Sequence, residues 1–334
     1  MTTKIAINGF GRIGRCVTRL ALAESDLELV AVNDLTDPEQ LAHLFKRDSV
    51  HGTYDGDVEL TNDGLQVDDQ TIAVHSVPDP SELPWGDLGV DIVLESTGVF
   101  RKRDKAAKHL EAGASKVVIS APGKGVDYSM CMGVNHEEYD PSMDIIDIAS
   151  CTTNCLAPVA KVLNDAFGIE QGLMTTVHAY TNNQNVLDGP HDKDFRRARA
   201  AAVNMIPTST GAAIAVTNVL PELEGKLDGM AIRVPTPNVS CIDLTVSLEE
   251  TADVDQVNET FKKAANGSME GILGYSEEPL VSTDYVGNPH SSIVDADSTM
   301  GLDNGFIKVL SWYDNEWGFS NRMIDATKRV AEHL

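Results

Sequence analysis

The sequence has few basic side chains and no long apolar run, although it is 334 residues long. Its 26 lysines and arginines are outnumbered by 51 aspartates and glutamates, so the formal net charge is −25 at pH 7. Such a charge repels nucleic acid and anionic membrane surfaces, so we expect neither as a partner. No stretch reaches the roughly 20 apolar residues of a membrane span. Because Met1 also leads straight into strand-like sequence without a signal peptide pattern, we predict a soluble cytoplasmic protein.

Cysteine is scarce as well, and its spacing excludes two common uses. The five cysteines are Cys16, Cys131, Cys151, Cys155 and Cys241. An odd and scattered set does not suggest a disulfide framework. The sequence also has no Cys-x-x-Cys pair and no His/Cys cluster with zinc spacing. We therefore predict neither disulfide bonds nor a metal site.

The acidic residues are spread along the chain rather than gathered in a tail. Strong salt would screen the repulsion between them, so we favour adaptation of the surface to a salt-rich cell. An ordinary protein of very acidic composition is the alternative. The hydrophobic content of 42% is enough for packed cores, and the length suggests about two domains.

The first 34 residues follow the order strand, glycine turn, helix, strand, acid. These parts are Lys4–Asn8, Gly9-Phe10-Gly11-Arg12-Ile13-Gly14, Arg15–Ala23, Leu27–Asn33 and Asp34. Gly9 allows a tight turn, Gly11 lets the backbone approach a pyrophosphate, and Gly14 permits close packing of helix on strand. Asp34 can accept hydrogen bonds from ribose hydroxyls and would repel a 2′-phosphate, which predicts NAD rather than NADP.

The alternation of strands and helices continues through the strand 91–96, the helix 105–112 and the strand 116–120. This pattern predicts a Rossmann-type, doubly wound parallel sheet. Ligands of such sheets bind at the carboxyl ends of the strands, where Thr97 and Ser120 fall together with Asp34.

Cys151 stands at the start of a predicted helix, Cys151–Phe167, in which apolar residues recur at helical spacing. Backbone N–H groups and the helix dipole at that position favour the thiolate, which is the nucleophilic form. The alternative is a buried structural cysteine, which is the role that we predict for Cys155. His178, at the end of the strand 173–178, is the candidate base for Cys151.

The second half of the chain has strands with few crossover helices, which predicts an α+β domain with a mixed or antiparallel sheet. Its predicted elements are the strands 230–234, 241–248 and 306–313 and the helices 212–220 and 319–334. We expect the last helix to fold back onto the first domain. The predicted domains are therefore residues 1–150 with 316–334, and residues 151–315.

Basic residues are concentrated at one place in this acidic chain, at Lys193, Arg196, Arg197 and Arg199. Such a cluster suggests an anion site or a subunit contact, and a solvated basic turn is the alternative. The nearby run 208–211 offers hydroxyl and N–H groups at a predicted helix start, where phosphate can bind.

Nine stretches together resemble phosphorylating glyceraldehyde-3-phosphate dehydrogenases of the NAD-dependent bacterial and eukaryotic type. They are INGFGRIGR (Ile7–Arg15), VNDL (Val32–Leu35), STGVF (Ser96–Phe100), SCTTNCLAP (Ser150–Pro158), DGPH (Asp188–His191), RRARAAA (Arg196–Ala202), STGAA (Ser209–Ala213), RVPTPNVS (Arg233–Ser240) and SWYDNEWGFS (Ser311–Ser320). They follow the family's order over nearly the whole chain, and SCTTN and WYDNEWG are highly specific.

The resemblance implies a reversible oxidation of glyceraldehyde 3-phosphate to 1,3-bisphosphoglycerate with NAD and inorganic phosphate, as in glycolysis and gluconeogenesis. Cys151 would attack the aldehyde to form a thiohemiacetal, and His178 would take the hydroxyl proton as hydride leaves. Phosphate would then attack the thioester on Cys151.

The resemblance also implies the binding residues. Those for the cofactor would be Gly9, Gly11, Arg12, Ile13, Gly14, Asp34, Thr97, Ser120 and Asn315. Thr181 and Arg233 would hold the C3 phosphate of the substrate. The attacking phosphate would be held by Ser150, Thr152, Arg197, Thr210 and Gly211. The loop 180–202 resembles one that reaches a neighbouring subunit's cofactor site, which implies a homotetramer.

Two other functions compete with this interpretation. An erythrose-4-phosphate dehydrogenase would share the cysteine and nucleotide motifs, but Arg197 with Thr210 and Gly211 argues for the phosphorylating enzyme. A binding module that has lost catalysis is the second alternative, although Cys151 and His178 are both present.

Overall fold

The computed structural model of the chain describes residues 2–192, 194–302 and 304–334. Lys193 of the basic cluster lies outside the described residues. The chain forms two compact units, of which the first comprises the chain up to Met130, His136–Ala149 and Ser320–Leu334. The second comprises Cys131–Asn135 and Ser150–Phe319. Among the described residues, no helix is both long and apolar enough to span a membrane.

The first unit contains strands β1–β11 and helices α1–α5. The strands are β1 Thr3–Asn8, β2 Leu27–Asn33, β3 Arg47–Asp48, β4 Gly52–Thr53, β5 Val58–Thr61, β6 Gly64–Val67, β7 Gln70–His75, β8 Ile92–Glu95, β9 Lys116–Ile119, β10 Tyr128–Ser129 and β11 Ile145–Asp147. The helices are α1 Arg12–Ala21, α2 Pro38–Lys46, α3 Trp85–Leu88, α4 Arg103–Ala106 and α5 Lys108–Glu111.

The main sheet of the first unit has the strand order β10-β11-β9-β8-β1-β2-β7-β6-β5. All pairs from β10 to β7 are parallel, and β7, β6 and β5 form an antiparallel edge. The central strands β1 and β8 carry apolar side chains that are fully buried, as is usual for a parallel sheet covered on both faces. The predicted parallel sheet is therefore confirmed.

The second unit contains most of the remaining elements. They are α6 Cys151–Phe167, β12 Ile169–Ala179, β13 Ile206–Ser209, α7 Ala212–Ala215, β14 Leu227–Val234, β15 Ser240–Leu248, α8 Val254–Ala265, β16 Leu273–Ser276, β17 Ser292–Leu302, β18 Phe306–Tyr313 and α9 Trp317–Ala331. Residues Ser320–Leu334, with most of α9, belong to the first unit.

The sheet of the second unit is mixed, as predicted, with the order β13-β14-β12-β15-β18-β17-β16. The pairs β12/β14 and β16/β17 are parallel, and the other pairs are antiparallel. Helix α6 has the predicted bounds, and its apolar side chains join the core of this unit.

Four predicted helices have wrong bounds. The helix expected at 15–23 is Arg12–Ala21, and the one expected at 105–112 forms two short helices, Arg103–Ala106 and Lys108–Glu111. The helix expected at 212–220 ends at Ala215 and continues as a 3₁₀ turn, Val216–Asn218. Its β-branched and amide side chains and the nearby Pro221 disfavour a longer α-helix. Helix α9 begins at Trp317, two residues before the predicted start, because the Asp314 carboxylate accepts the Glu316 and Trp317 N–H groups at 2.9 and 2.7 Å.

Candidate active site

The glycine turn after β1 has the geometry that a dinucleotide site needs. Gly9 has a φ of +97°, and a β-carbon there would lie 2.6 Å from the Thr97 amide nitrogen. A β-carbon at Gly14 would lie 2.1 Å from the Gly9 carbonyl oxygen, whereas one at Gly11 would meet nothing within 4 Å. Gly9 and Gly14 thus permit close backbone packing, and the backbone at Gly11 remains accessible to a ligand.

Asp34 directly follows β2 and is held by backbone donors. The Phe10 N–H donates to one carboxylate oxygen at 2.8 Å, and the Thr36 N–H donates to the other at 2.9 Å. Burial by itself would raise the pKa of Asp34, but hydrogen bonds from Thr36 and Phe10 outweigh it and lower that pKa. The carboxylate is therefore charged and partly exposed beside the glycine turn, as discrimination against a 2′-phosphate requires.

The other predicted cofactor residues of the first unit also lie at strand ends or on the glycine turn. Thr97 and Ser120 follow β8 and β9, which are neighbours of β1 in the sheet. Arg12 and Ile13 form the first turn of α1, which has no side-chain cap and no acidic residue there. The Arg12 guanidinium forms an ion pair with Asp48 at 2.5 Å.

A buried polar network below this edge was missed in the sequence. The Glu95 carboxylate accepts hydrogen bonds from Asn8 Nδ2 at 2.6 Å and from the Thr97 N–H at 2.8 Å. His109 Nε2 lies 3.1 Å from Glu95, and Trp85 Nε1 donates to His109 Nδ1 at 3.0 Å. The sequence did contain a sign of this network, since Glu95 is an acid in the otherwise apolar strand Ile92–Glu95. A buried carboxylate needs hydrogen-bond partners of this kind.

In the second unit, Cys151 and His178 are brought together across 27 residues of sequence. Cys151 is the first residue of α6, and its Sγ lies 3.6 Å from His178 Nε2. The Ser150 hydroxyl oxygen caps the helix by accepting the Thr153 N–H at 3.0 Å. His178 is 3% exposed, whereas the residue Cys151 is partly buried.

The surroundings of this pair set its protonation. Burial raises the pKa of the Cys151 thiol, and the Arg233 charge and the Thr152 donors oppose that effect only in part. Burial thus opposes the thiolate form that the helix start and the Arg233 charge favour. Burial, followed by the Arg233 charge, lowers the pKa of His178 to about 3, so its imidazole is neutral at physiological pH.

Arg233 lies beside His178 because the two are register partners on the parallel strands β12 and β14. Arg233 Nη1 lies 2.8 Å from His178 Nδ1 and donates to the Ala179 carbonyl oxygen at 3.0 Å. His178 Nδ1 is also 2.7 Å from the same carbonyl, so a proton on Nδ1 would satisfy the carbonyl, whereas a proton on Nε2 would let Nδ1 accept from the Arg233 guanidinium. The tautomer with the proton on Nδ1 is the one in which Nε2 can accept a proton from Cys151.

Arg233 and Gln184 of the second unit each carry a buried donor that has no hydrogen-bond partner among the described residues. Within residues 2–192, 194–302 and 304–334, Arg233 Nε and Gln184 Nε2 are buried without a hydrogen bond. Gln184 holds Thr181 through its other amide atom, since its Oε1 accepts the Thr181 N–H at 2.8 Å. Gln184 was not identified in the sequence, where nothing distinguishes it from other loop amides.

The predicted phosphate residues Arg197, Thr210 and Gly211 lie on one short stretch of structure. Arg197 Nε donates to the Thr208 hydroxyl at 2.9 Å, and its Nη2 donates to the Ser209 carbonyl at 3.3 Å. Thr210 and Gly211 follow directly, and Thr210 is partly buried while Gly211 is exposed. The structure thus brings the arginine to the hydroxyl-rich run that the sequence suggested as an anion site.

Thr152 differs from the other predicted phosphate residues because its hydroxyl is buried. It forms a hydrogen bond of 2.9 Å with the Tyr313 hydroxyl, which makes a second bond of 2.9 Å with Thr176. The Tyr313 ring also packs edge-on against His178, with centroids 5.9 Å apart. Tyr313 therefore supports both the start of α6 and His178, and the Thr152 hydroxyl is already hydrogen-bonded within the protein.

The remaining predicted residues are Asn315 and the cysteines outside the pair. Asn315 follows β18, and its Oδ1 accepts a hydrogen bond from the Ser240 hydroxyl at 2.8 Å. All five cysteines carry free thiols. Cys155 is fully buried, 3.2 Å from the Ser292 hydroxyl, and burial raises its pKa well above the usual range, so a structural role fits it.

Comparison with known proteins agrees with this geometry. Residues 3–103 match the family model of the glyceraldehyde 3-phosphate dehydrogenase NAD binding domain, and residues 150–315 match that of the C-terminal domain. The chain is 59% identical over 333 residues to glyceraldehyde-3-phosphate dehydrogenase 1 of Bacillus subtilis, with 99% of each chain covered. Over 332 residues it is 59% identical to the Geobacillus stearothermophilus enzyme, again covering 99% of each. The predicted resemblance is confirmed, and the chain belongs to the glyceraldehyde-3-phosphate dehydrogenase family.

Proposed function

We propose that this protein is an NAD-dependent phosphorylating dehydrogenase that converts glyceraldehyde 3-phosphate reversibly to 1,3-bisphosphoglycerate. The observation that carries the proposal is the Cys151 thiol, 3.6 Å from the Nε2 of a neutral His178. A thiol nucleophile beside a general base is the pair that a thioester route needs. The full-length relatives bear the name of this activity, which does not favour the erythrose-4-phosphate or non-catalytic alternatives.

The first step joins Cys151 to the aldehyde. As the sulfur–carbon bond forms, the thiol proton passes to His178 Nε2, and His178 then gives that proton to the developing alkoxide, which completes the thiohemiacetal and leaves His178 neutral. His178 then removes the hydroxyl proton while C1 loses a hydride, which leaves a thioester. Inorganic phosphate attacks the thioester carbonyl, the carbon–sulfur bond breaks, and the acyl phosphate departs from Cys151.

Binding of the substrate phosphate at Arg233 would also raise the basicity of His178. The free donors of Arg233 and Gln184 can hold the C3 phosphate together with Thr181. A bound dianion would offset the Arg233 charge that helps to lower the His178 pKa. Substrate binding would therefore make His178 a stronger base when the base is needed.

The attacking phosphate would be bound by Arg197 and by the residues that surround it in sequence and structure. These are Thr210 and Gly211, with Ser150 and the backbone N–H of Thr152 at the start of α6. Charge-assisted bonds from a guanidinium and N–H groups at a helix start suit an oxyanion.

NAD would be held by the glycine turn and the strand ends of the first unit, namely Gly9, Gly11, Arg12, Ile13, Gly14, Asp34, Thr97 and Ser120, and by Asn315 of the second unit. The accessible backbone at Gly11 and the charged Asp34 fit this cofactor. NAD, when bound, supplies the hydride acceptor. The first unit would thus be the NAD-binding domain and residues 151–315 the catalytic domain.

The test is NADH formation, followed by absorbance, from glyceraldehyde 3-phosphate, NAD and inorganic phosphate. Cys151→Ser should lower turnover by at least about a thousandfold, because the nucleophile is lost. Cys155→Ser is the matched control, since the same change four residues along the helix removes only a buried thiol. Equal loss in both variants, or NADH formation that does not depend on phosphate, would contradict the proposal.

We also propose a homotetramer in the cytoplasm of a salt-adapted cell. Apolar side chains on the sheet of the second unit are exposed, with Leu173 at 68% and Phe306 at 42%, and both line one groove. In the loop 180–202, Phe195 is 95% exposed, which suits a subunit contact. Sedimentation should give about four times the 36.0 kDa chain mass, and a monomer would refute the assembly.

A further inference from the structure

We infer that Ser240 is a positioning residue for the nicotinamide ring, because it holds the Asn315 side-chain amide in one of its two orientations. The inference rests on the proposed function, in which Asn315 bonds the nicotinamide carboxamide. Ser240 is 1% exposed and Asn315 is 7% exposed, so neither relies on bulk water for its hydrogen bonds.

The hydrogen-bond directions around the Ser240 hydroxyl are determined by its neighbours. The Ala179 N–H can only donate, and it donates to Ser240 Oγ at 3.0 Å. The single hydroxyl proton is then available for Asn315 Oδ1, which lies 2.8 Å away. If the amide were reversed, Ser240 would face two donors and its own buried proton would lose its acceptor, which is unfavourable.

The orientation of the Asn315 amide determines which of its atoms can contact a ligand. With Oδ1 held by Ser240, the NH₂ group of Asn315 is the part that is left for a ligand. It can donate to the carboxamide oxygen of a nicotinamide, and it cannot accept from the carboxamide NH₂ group. Ser240 thereby determines which end of the carboxamide Asn315 recognises, and so which face of the ring is turned to the substrate.

The backbone places Ser240 at this point. Three strand ends meet here, since Ala179 ends β12, Ser240 begins β15 opposite Tyr313, and Asn315 follows β18. Val239 has a φ of +66° and is 2% exposed. A β-branched residue rarely adopts this conformation, so the packing around it must maintain the turn that brings Ser240 to Asn315.

The test compares binding of NAD with binding of ADP-ribose, which lacks the nicotinamide ring, by isothermal titration calorimetry. Ser240→Ala should weaken NAD binding by about tenfold and leave ADP-ribose binding unchanged, because only the ring contact is affected. Asn315→Ala should have a similar effect, and the double variant should be no weaker than Asn315→Ala alone. Ser240→Thr keeps the hydroxyl and should restore wild-type binding.

The matched control is Ser311→Ala, another fully buried serine of the same sheet, whose hydroxyl bonds to Ser292 at 2.7 Å rather than to Asn315. It should leave both ligands unaffected, and thermal melting checks that each variant folds. Additive effects of the two substitutions, equal weakening of NAD and ADP-ribose, or unchanged NAD binding would overturn the inference. Absence of turnover in the wild type would instead refute the proposed function, because the binding comparison does not depend on catalysis.

Discussion

At the scale of single residues, burial and one neighbouring charge set the directions of the pKa shifts of Cys151 and His178. Burial raises the pKa of Cys151, and burial with the Arg233 charge lowers the pKa of His178 to about 3. Both shifts favour the uncharged thiol and imidazole over the thiolate and the imidazolium. A proton transfer from the thiol to His178 during attack would then activate the nucleophile.

This low pKa of His178 predicts a pH dependence of stability. The unfolded chain takes up a proton at this histidine below about pH 6.5, whereas the folded chain does so only near pH 3. The unfolded state thus binds more protons in that window, so stability is lost as the pH falls through it. Relative to His178→Gln, the wild type should lose about 2 kcal/mol more of its unfolding free energy between pH 7 and pH 5. Urea unfolding at the two pH values measures this, and equal losses would contradict the assignment.

Asp34 gives a second prediction at this scale, concerning cofactor choice. Asp34→Asn removes the charge that repels a 2′-phosphate, so the preference for NAD over NADP should fall about tenfold or more. The measurement is the ratio of kcat/KM for the two cofactors. Asp37→Asn is the control, because it removes the same charge three residues on, where the side chain caps α2. An unchanged ratio in Asp34→Asn would show that discrimination lies elsewhere.

At the scale of elements, capping decides where helices begin. Ser150 caps α6, Asp314 precedes α9, and Asp253 forms a capping box with Gln256 at α8. In the box, Asp253 accepts the Gln256 N–H at 2.8 Å, and Gln256 Oε1 accepts the Asp253 N–H at 3.0 Å. Each cap satisfies backbone donors that the helix itself cannot satisfy.

The box at α8 can be tested without touching the catalytic residues. Asp253→Ala should cost about 1 kcal/mol of unfolding free energy, because the Gln256 N–H loses its side-chain acceptor, and should leave kcat unchanged. Asp255→Ala, in the first turn of the same helix, removes only a favourable charge and should cost a few tenths of a kcal/mol. Urea denaturation compares the two, and equal costs would refute the role of the cap.

At the scale of the whole molecule, the net charge of −25 is the dominant property. Several lysines and arginines already form ion pairs with acids, such as Lys308 with Asp243 and Arg103 with Asp127. The acidic excess therefore exceeds what local pairing can neutralise, and its repulsion opposes the compact state.

We expect salt to relieve that repulsion. The screening length falls from about 10 Å at 0.1 M to about 3 Å at 1 M salt, so the melting temperature should rise with KCl over this range. Differential scanning calorimetry measures the change, and sucrose at equal osmolality controls for effects that do not involve charge. A melting temperature that is independent of KCl, or that falls with it, would argue for an ordinary acidic protein.

Local sequence patterns were sufficient to predict several features of this protein. The glycine turn, β2 and the bounds of α6 and β18 were predicted from the sequence, because spacing of apolar residues and turn chemistry act over a few neighbouring residues. The same holds for the position of Cys151 at a helix start. The motifs that resemble the dehydrogenase family added its chemistry, and the family was confirmed.

Only the tertiary structure decided which side chains meet and how they are protonated. His178 and Arg233 are adjacent because two strands pair in register, although 55 residues separate them in sequence. Ser240 reaches Asn315 across 75 residues in the same way. The directions of the Cys151 and His178 pKa shifts also follow from burial, which is a property of the packed fold. Spacing along the chain carries no information on such distant contacts, so these features could be established only from the folded structure.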